Sequence, residues 1–194
     1  FLYILFLINW YSAYENTTIW VYLGLHGTYG VLWILKSMLF PDKSWEIKTG
    51  FLYGLFILTG LSLYWISPWI IVSGYFHNGS MVEVSGWIIS TSIFLFGVGI
   101  FLHFTSDMQK HTELKLNPGI LVTDGLFSRS RNMNYFGELL IYLSFALLSM
   151  HWLPFAVLFV FILAIWAPNM IKKEKSLSRY EEFENYRNNT GIFN

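Results

Sequence analysis

The sequence predicts an all-α, polytopic membrane protein of about five to six hydrophobic helices, closing on a C-terminal helical hairpin. Three observations lead there. Of 194 residues, 55% are hydrophobic and only 12% charged, where an ordinary soluble domain carries roughly 25% charged residues. Aromatic residues are abundant, with 9 Trp, 12 Tyr and 18 Phe, as expected where amphipathic rings sit at membrane interfaces and fill between helices. Apolar runs near 18–40, 49–73 and 84–104 each reach the roughly 20 residues that a helix needs to cross about 30 Å of hydrocarbon.

Taken in order, residues 1–10 read as the end of a further span. The chain starts at Phe1 rather than Met and stops at Asn194, so trimmed ends and a missing targeting segment are an expectation. The three full-length spans follow. The run 135–168 is interrupted by His151 and Pro154, and its halves of roughly 15 to 17 residues are short for upright spans, so it reads as a tight hairpin. Pro41-Asp42, Pro68, Asn117-Pro118-Gly119 and Pro168-Asn169 are placed at span ends, where turns belong. Without an internal repeat or low-complexity segment, residues 1–194 read as one membrane domain, N-terminal spans to 104 and a more polar part from 105.

Charge narrows the function classes. The 12 basic and 12 acidic residues cancel, so no global field argues for nucleic acid or a polybasic anchor. The absence of cysteine excludes a disulfide frame, a thiolate metal site, haem attachment and a thiol nucleophile. Basic residues fall in alternate connections: Lys36, Lys43 and Lys48; then Lys110, Lys115, Arg129 and Arg131; then Lys172, Lys173, Lys175, Arg179 and Arg187. Residues 11–17, 74–83 and 150–154 hold neither Lys nor Arg. The positive-inside rule therefore places the 105–134 loop and the tail together on the cytoplasmic side.

Chemistry concentrates in the C-terminal half. The stretch Ser106 to Tyr135 is longer than simple connections usually are, and long loops tend to be functional or disordered. Glu138 lies in the apolar hairpin, where an ionisable group is a functional candidate. Asn134 stands four residues earlier and Arg131 a further three, so a helix starting there lines up an amide, a carboxylate and a guanidinium able to hold a polar ligand by both ends. The alternative is that Glu138 pairs with Arg131 or a tail lysine to stabilise packing.

His103, Asp107 and His111 recur at i, i+4 and i+8. Membrane di-iron hydroxylases and desaturases resemble this locally, but they use far more histidines than the five of this chain, and no metal is expected. Asp107 suits a ligand amide or ribose, with Lys110 and Lys115 near phosphates; the alternative is a solvated helix end. In the first full span, the Tyr29 phenol, and His26 after it, suit polarising or protonating a carbonyl in an apolar cavity, against the alternative of packed, hydrogen-bonded side chains. Arg179-Tyr180, Phe183 and Tyr186-Arg187 suit charge pairing and stacking over a phosphorylated planar ligand, or a solvated face beside a membrane.

Ser106-Asp107, Gly125-Leu126-Phe127, the segment Arg131 to Glu138 and the aromatic tail Tyr180 to Phe193 resemble a membrane superfamily. It groups isoprenylcysteine carboxyl methyltransferases, phospholipid methyltransferases, steroid 5-alpha-reductases, sterol reductases and a related domain family of unknown function. The resemblance covers about residues 100–194; the first hundred match only as hydrophobic spans. The methyltransferase branch has Arg-His-Pro-x-Tyr-x-Gly and, after the hairpin, adjacent glutamates, where this chain has Asn132, Met133 and a single Glu174 among lysines. The reductase branch resembles Arg-x-x-Asn-Tyr-x-Gly-Glu/Asp, which Arg131, Asn134, Tyr135, Gly137 and Glu138 meet.

That resemblance implies a membrane-embedded NADPH-dependent reductase of a steroid, sterol or other lipid-like enone. Asp107, Asn134 and Glu138 would contact NADPH; Lys110, Arg131, Tyr135, Arg179 and Tyr180 would surround it from loop and tail. The N-terminal spans would face the substrate, with Tyr29 and His26 as proton donors. The alternatives are an S-adenosylmethionine-dependent methyltransferase of a lipid or isoprenylcysteine substrate, and a non-catalytic membrane subunit retaining the fold.

Overall fold

The computed structural model describes residues 1–42 and 48–192. Lys43 of the first basic connection and Phe193 of the tail motif lie outside them. The described residues form helices and turns without a strand; one isolated bridge joins Ser130 to Gly191. The helices are α1 (Leu2–Trp10), α2 (Thr17–Leu39), α3 (Phe51–Ser62), α4 (Ile66–Ser73), α5 (Gly86–Leu116), α6 (Met133–Leu148), α7 (Trp152–Phe161), α8 (Ala167–Leu177) and α9 (Phe183–Asn189). Four continuous helical stretches are long and apolar enough to cross a membrane: Thr17–Leu39, Phe51–Ser73, Gly86–Leu116 and Trp152–Leu177. Met133–Leu148 is a shorter apolar helix. Their many exposed Leu, Ile and Phe side chains belong in lipid, where apolar exposure carries no penalty. This is an integral membrane protein.

Two elements differ from the sequence reading. Helix α5 runs to Leu116, so His103, Asp107 and His111 share a helix leaving the third span, as their spacing suggests, but the irregular stretch begins only at Asn117 instead of near Ser106. Its 31 residues span about 46 Å at 1.5 Å per residue, more than the hydrocarbon requires, which lets the polar C-terminal turns continue beyond it. The second arm of the hairpin also continues to Leu177, through Pro168. A proline removes a backbone donor and crowds the carbonyl four residues back, and the π-helical turn Ile162–Trp166 directly before it absorbs both by widening the helix. Pro68 likewise falls inside the second span, just after the tight 3-10 turn Leu63–Trp65.

The chain forms two compact units, residues 1–96 with 142–158 and residues 97–141 with 159–194; the sequence suggested one domain with a division at 104/105. In the first unit, Asn16 caps α2: its side chain accepts from the Ile19 amide at 2.8 Å and donates to the Val82 carbonyl at 2.9 Å. One amide thereby fixes both a helix start and a distant loop. Glu83 continues the clamp by accepting from the Thr17 amide at 2.9 Å and the Thr18 hydroxyl at 3.3 Å. Helix α4 ends at Gly74, whose φ of +65° and 2.7 Å approach to the Gly79 carbonyl carbon at a virtual Cβ leave room for glycine alone.

In the second unit, α5 and α6 cross backbone to backbone. A Cβ on Gly137 would meet the His103 backbone nitrogen and lie 2.8 Å from the Gly99 carbonyl; a Cβ on Gly99 would lie 2.7 Å from the Gly137 carbonyl. Small residues permit such close crossings in membranes, where van der Waals contact rather than hydrophobic exclusion drives helix association. Backbone cannot yield as a flexible side chain can. Gly137→Val is therefore expected to destabilise by about 1–3 kcal/mol, read as a lower thermal midpoint of the purified protein in detergent. Gly54→Val, at a position with nothing within 4 Å, should stay within about 0.5 kcal/mol of wild type.

Candidate functional site

The second unit gathers most of the polar candidates, and Arg131 lies at their centre. It precedes α6 instead of extending that helix's polar face, and its side chain turns to the C-terminal tail. With 4% exposure, its guanidinium donates from Nε to Glu174 Oε1 at 2.8 Å, and from Nη1 to the Arg187 carbonyl at 3.1 Å, the Thr190 hydroxyl at 3.1 Å and the Thr190 carbonyl. Thr190 Oγ1 donates onward to the Tyr186 carbonyl at 2.7 Å. A buried guanidinium needs such acceptors around its planar fork, because desolvation without them costs more than the charge returns.

The tail is stitched to the 125–132 segment at further points. The Arg131 amide donates to the Gly191 carbonyl at 3.2 Å, and the Ser130 hydroxyl to the Ile192 carbonyl at 2.9 Å. Tyr186 donates its phenol to the Phe127 carbonyl at 2.8 Å. Burial raises that phenol to about 12, against the opposing pull of the Arg131 charge, so Tyr186 remains a donor throughout the physiological range. Lys173 donates to the Arg131 carbonyl, approaches Asn132 Oδ1 at 3.4 Å and stands 5.6 Å from the Phe127 ring centroid.

Charges meet around Lys173. Lys110, Asp107, Glu174 and Arg131 all act on it, giving three cations against two carboxylates. Two of the sequence candidates, Asp107 and Lys110, thus share a charged cluster with Arg131, through a lysine that the sequence reading did not single out. The available signal was its position: in a helix that continues to Leu177, Lys173 and Glu174 lie within the last span rather than in a solvated tail. In the sequence Glu174 stands only as a single glutamate where the methyltransferase branch has two adjacent ones.

Asn134 and Glu138 stand one turn apart on α6, both partly buried. His103 joins the two helices here: its Nδ1 lies 3.1 Å from the Asn134 backbone carbonyl, and its Nε2 lies 3.9 Å from Asp107 Oδ2. A carbonyl only accepts, so Nδ1 carries the proton. The side-chain oxygen of Asn134 is buried and has no hydrogen-bond partner among the described residues. Such an orphan is uncommon and marks a place where a donor from a ligand or water belongs. Tyr135, next along α6, packs on Trp166 of the π-helical turn at 5.6 Å between centroids.

The remaining candidates stand apart from this cluster. Arg179 stacks on Tyr180 at 5.0 Å and donates to its phenol at 3.1 Å, so the pair is occupied with itself at the surface. Tyr29 and His26 belong to the first unit. Buried Tyr29 meets Trp33 and Tyr142 edge-on, each at 6.1 Å. His26 stacks on Tyr22 at 5.8 Å and tilts on Phe145 at 5.5 Å, with Nδ1 buried and without a hydrogen-bond partner among the described residues. In the same unit a narrow cleft is lined by Tyr64, Ser67, Tyr142, Phe145, Pro154 and Leu158.

The profile of one protein family, described as a protein of unknown function (DUF1295), matches residues 39–190. No curated protein and no solved structure matches the chain.

Arg131 gives the site its most direct mechanical test. Charge-assisted hydrogen bonds contribute about 1.5–3 kcal/mol, so Arg131→Gln should release the tail and speed chymotryptic cleavage around Phe183 and Tyr186 at least about tenfold. Arg187→Gln, which removes only an exposed 3.9 Å pair with Glu184, should leave the cleavage rate unchanged.

Proposed function

The chain belongs to the DUF1295 family, and from the reductase-like pattern of Arg131, Asn134, Tyr135, Gly137 and Glu138 and the residues of the second unit we propose a membrane-embedded, NADPH-dependent reductase of a lipid-like enone, such as a steroid or sterol. The observation that carries the reading is the orphaned Asn134 side-chain oxygen, on the same helix as Glu138 and beside the His103–Asp107 pair. A buried amide acceptor suits the carboxamide or hydroxyl donors of a nicotinamide nucleotide, and a carboxylate suits ribose hydroxyls. With Lys173 counted, its cluster with Lys110, Arg131, Asp107 and Glu174 carries one net positive charge, which supports a ligand carrying phosphate.

In this reading Asp107, Asn134 and Glu138 hold the uncharged parts of the cofactor, with Lys110 toward its phosphates. Arg131 is a positioning residue, since its donors are engaged by Glu174 and the tail. Tyr135 and Trp166 wall the site. When bound, NADPH supplies the hydride, and the protein's part is to orient it, exclude water and present an acid. Tyr29 and His26 are the proposed proton donors, because a phenol or imidazole in apolar surroundings can polarise a carbonyl. The reading keeps the 105–134 segment and the tail cytoplasmic, as their basic residues favour.

The discriminating measurement is equilibrium binding of NADPH and, separately, S-adenosylmethionine to the protein in lipid nanodiscs. We expect NADPH to bind, and Asn134→Ala and Glu138→Gln to weaken it tenfold or more, about 1.4 kcal/mol or above, with folding preserved. S-adenosylmethionine binding in place of NADPH would overturn the reading in favour of methyl transfer, and binding of neither would leave a structural subunit.

A further inference from the structure

A second polar cluster stands at the other chemistry-bearing place in the fold, where the 74–80 turn meets the hairpin tip within the first unit. His151 lies at the tip, immediately before α7. Its Nδ1 accepts from the Leu153 amide at 3.2 Å, so the ring acts as the N-cap of α7 and its proton is on Nε2. The ring stacks on Phe76 of the turn at 4.3 Å and 25°, and lies tilted against Trp152 at 5.6 Å. His77, the next residue of the turn, meets it edge-on at 6.2 Å, with a buried Nε2 that has no hydrogen-bond partner among the described residues.

The cap requires His151 to be neutral. Protonation turns Nδ1 from acceptor to donor, removes the cap, and sets a cation at the positive end of a helix and beside a second imidazole. The charged groups that face His151 are few. From the turn there is His77, with the Tyr75 phenol one ring further out, 5.0 Å from Phe76; from α7 there are backbone amides. Residues 74–82 and 149–154 contain no Asp, Glu, Lys or Arg, so no carboxylate compensates an imidazolium there.

The geometry points to a pH-operated clasp: neutral His151 holds the 74–80 turn against the hairpin tip, and its protonation releases the turn. Two residues in left-handed conformations, Asn78 at φ +54° and Met150 at φ +48°, lie one on each side of the contact. Each costs free energy that the closed arrangement must over-determine, so losing the cap and the stack frees both segments together. Burial, with His77 second, lowers His151 below its ordinary value of 6.5. The sign follows: the contribution is fully present above about pH 6.5 and is lost as pH falls through the lowered folded value.

The chain has no cysteine, so a pair of nitroxide labels can be placed at Ser80→Cys and Met150→Cys without background. In nanodiscs, the inter-label distance distribution should be short and narrow at pH 8 and gain a longer population at pH 5, reversibly, with a midpoint below 6.5. His151→Asn, which keeps a capping acceptor but loses the stacked ring and cannot titrate, should show one distribution at both pH 8 and pH 5. Identical wild-type distributions at both pH values, or a pH-dependent opening that persists in His151→Asn, would overturn the clasp. Should the labelled pair perturb the turn, the imidazole nitrogen resonances of the unlabelled protein decide: an Nε2–H tautomer for His151 at pH 8 supports it and an Nδ1–H tautomer overturns it.

Discussion

A buried guanidinium dictates the organisation of the second unit. Arg131 has a fixed charge and five donors, and at 4% exposure its Nε and Nη1 find their acceptors inside the protein. The acceptors come from Glu174 on α8 and from backbone and hydroxyl oxygens of residues 187–190, so elements distant in sequence converge on one side chain. The bridge from Ser130 to Gly191 and the phenol of Tyr186 on Phe127 follow the path that this convergence sets. In hydrocarbon the same demand applies to each backbone group, which is why helices dominate; in the irregular 117–132 segment, outside the spans, side chains take the place of helical partners. Gln109 illustrates this, donating to the Asp124 carbonyl at 2.9 Å and accepting from the Leu126 amide at 3.1 Å.

Much of the fold is legible in the sequence because the bilayer sets a length scale. The runs at 18–40 and 49–73 coincide within two residues with Thr17–Leu39 and Phe51–Ser73, since apolar length alone specifies a span. What composition misjudges is where a helix ends once its residues turn polar. Helix α5 carries Asp107, Gln109 and Lys110 without interruption because propensity there is good and no glycine or proline intervenes before Pro118. The opposite misjudgement occurs at Pro168, where a residue that stops helices is tolerated because the preceding turn is already widened.

The site is less legible, and for a different reason. Spacing of three and four residues correctly sets Asn134 and Glu138 on one face of α6, because helical periodicity is local. It cannot reveal that Arg131 faces a tail more than forty residues away, nor that Lys173 joins Asp107 and Lys110, because pairing across elements depends on packing. The aromatic surroundings of Tyr29 are equally hidden: Tyr142 and Phe145 come from the hairpin, more than a hundred residues downstream. Family membership carries the chain no further toward chemistry, so the orphaned oxygen of Asn134 remains the most specific pointer to a ligand.

The widened turn at Ile162–Trp166 also acts as a phase corrector. Each residue of an α-helix advances about 100° around the axis, and a π turn inserts the equivalent of one extra residue into that count. Beyond it, Lys173 and Glu174 emerge in the direction of the Arg131 segment, while Trp166 is turned toward Tyr135. The azimuth of α8 therefore depends on an insertion upstream of it. Winding those five residues as ordinary α-helix, with none removed, would rotate the lysine and glutamate by roughly 100° away from the guanidinium while leaving every side chain in the sequence of α8 intact.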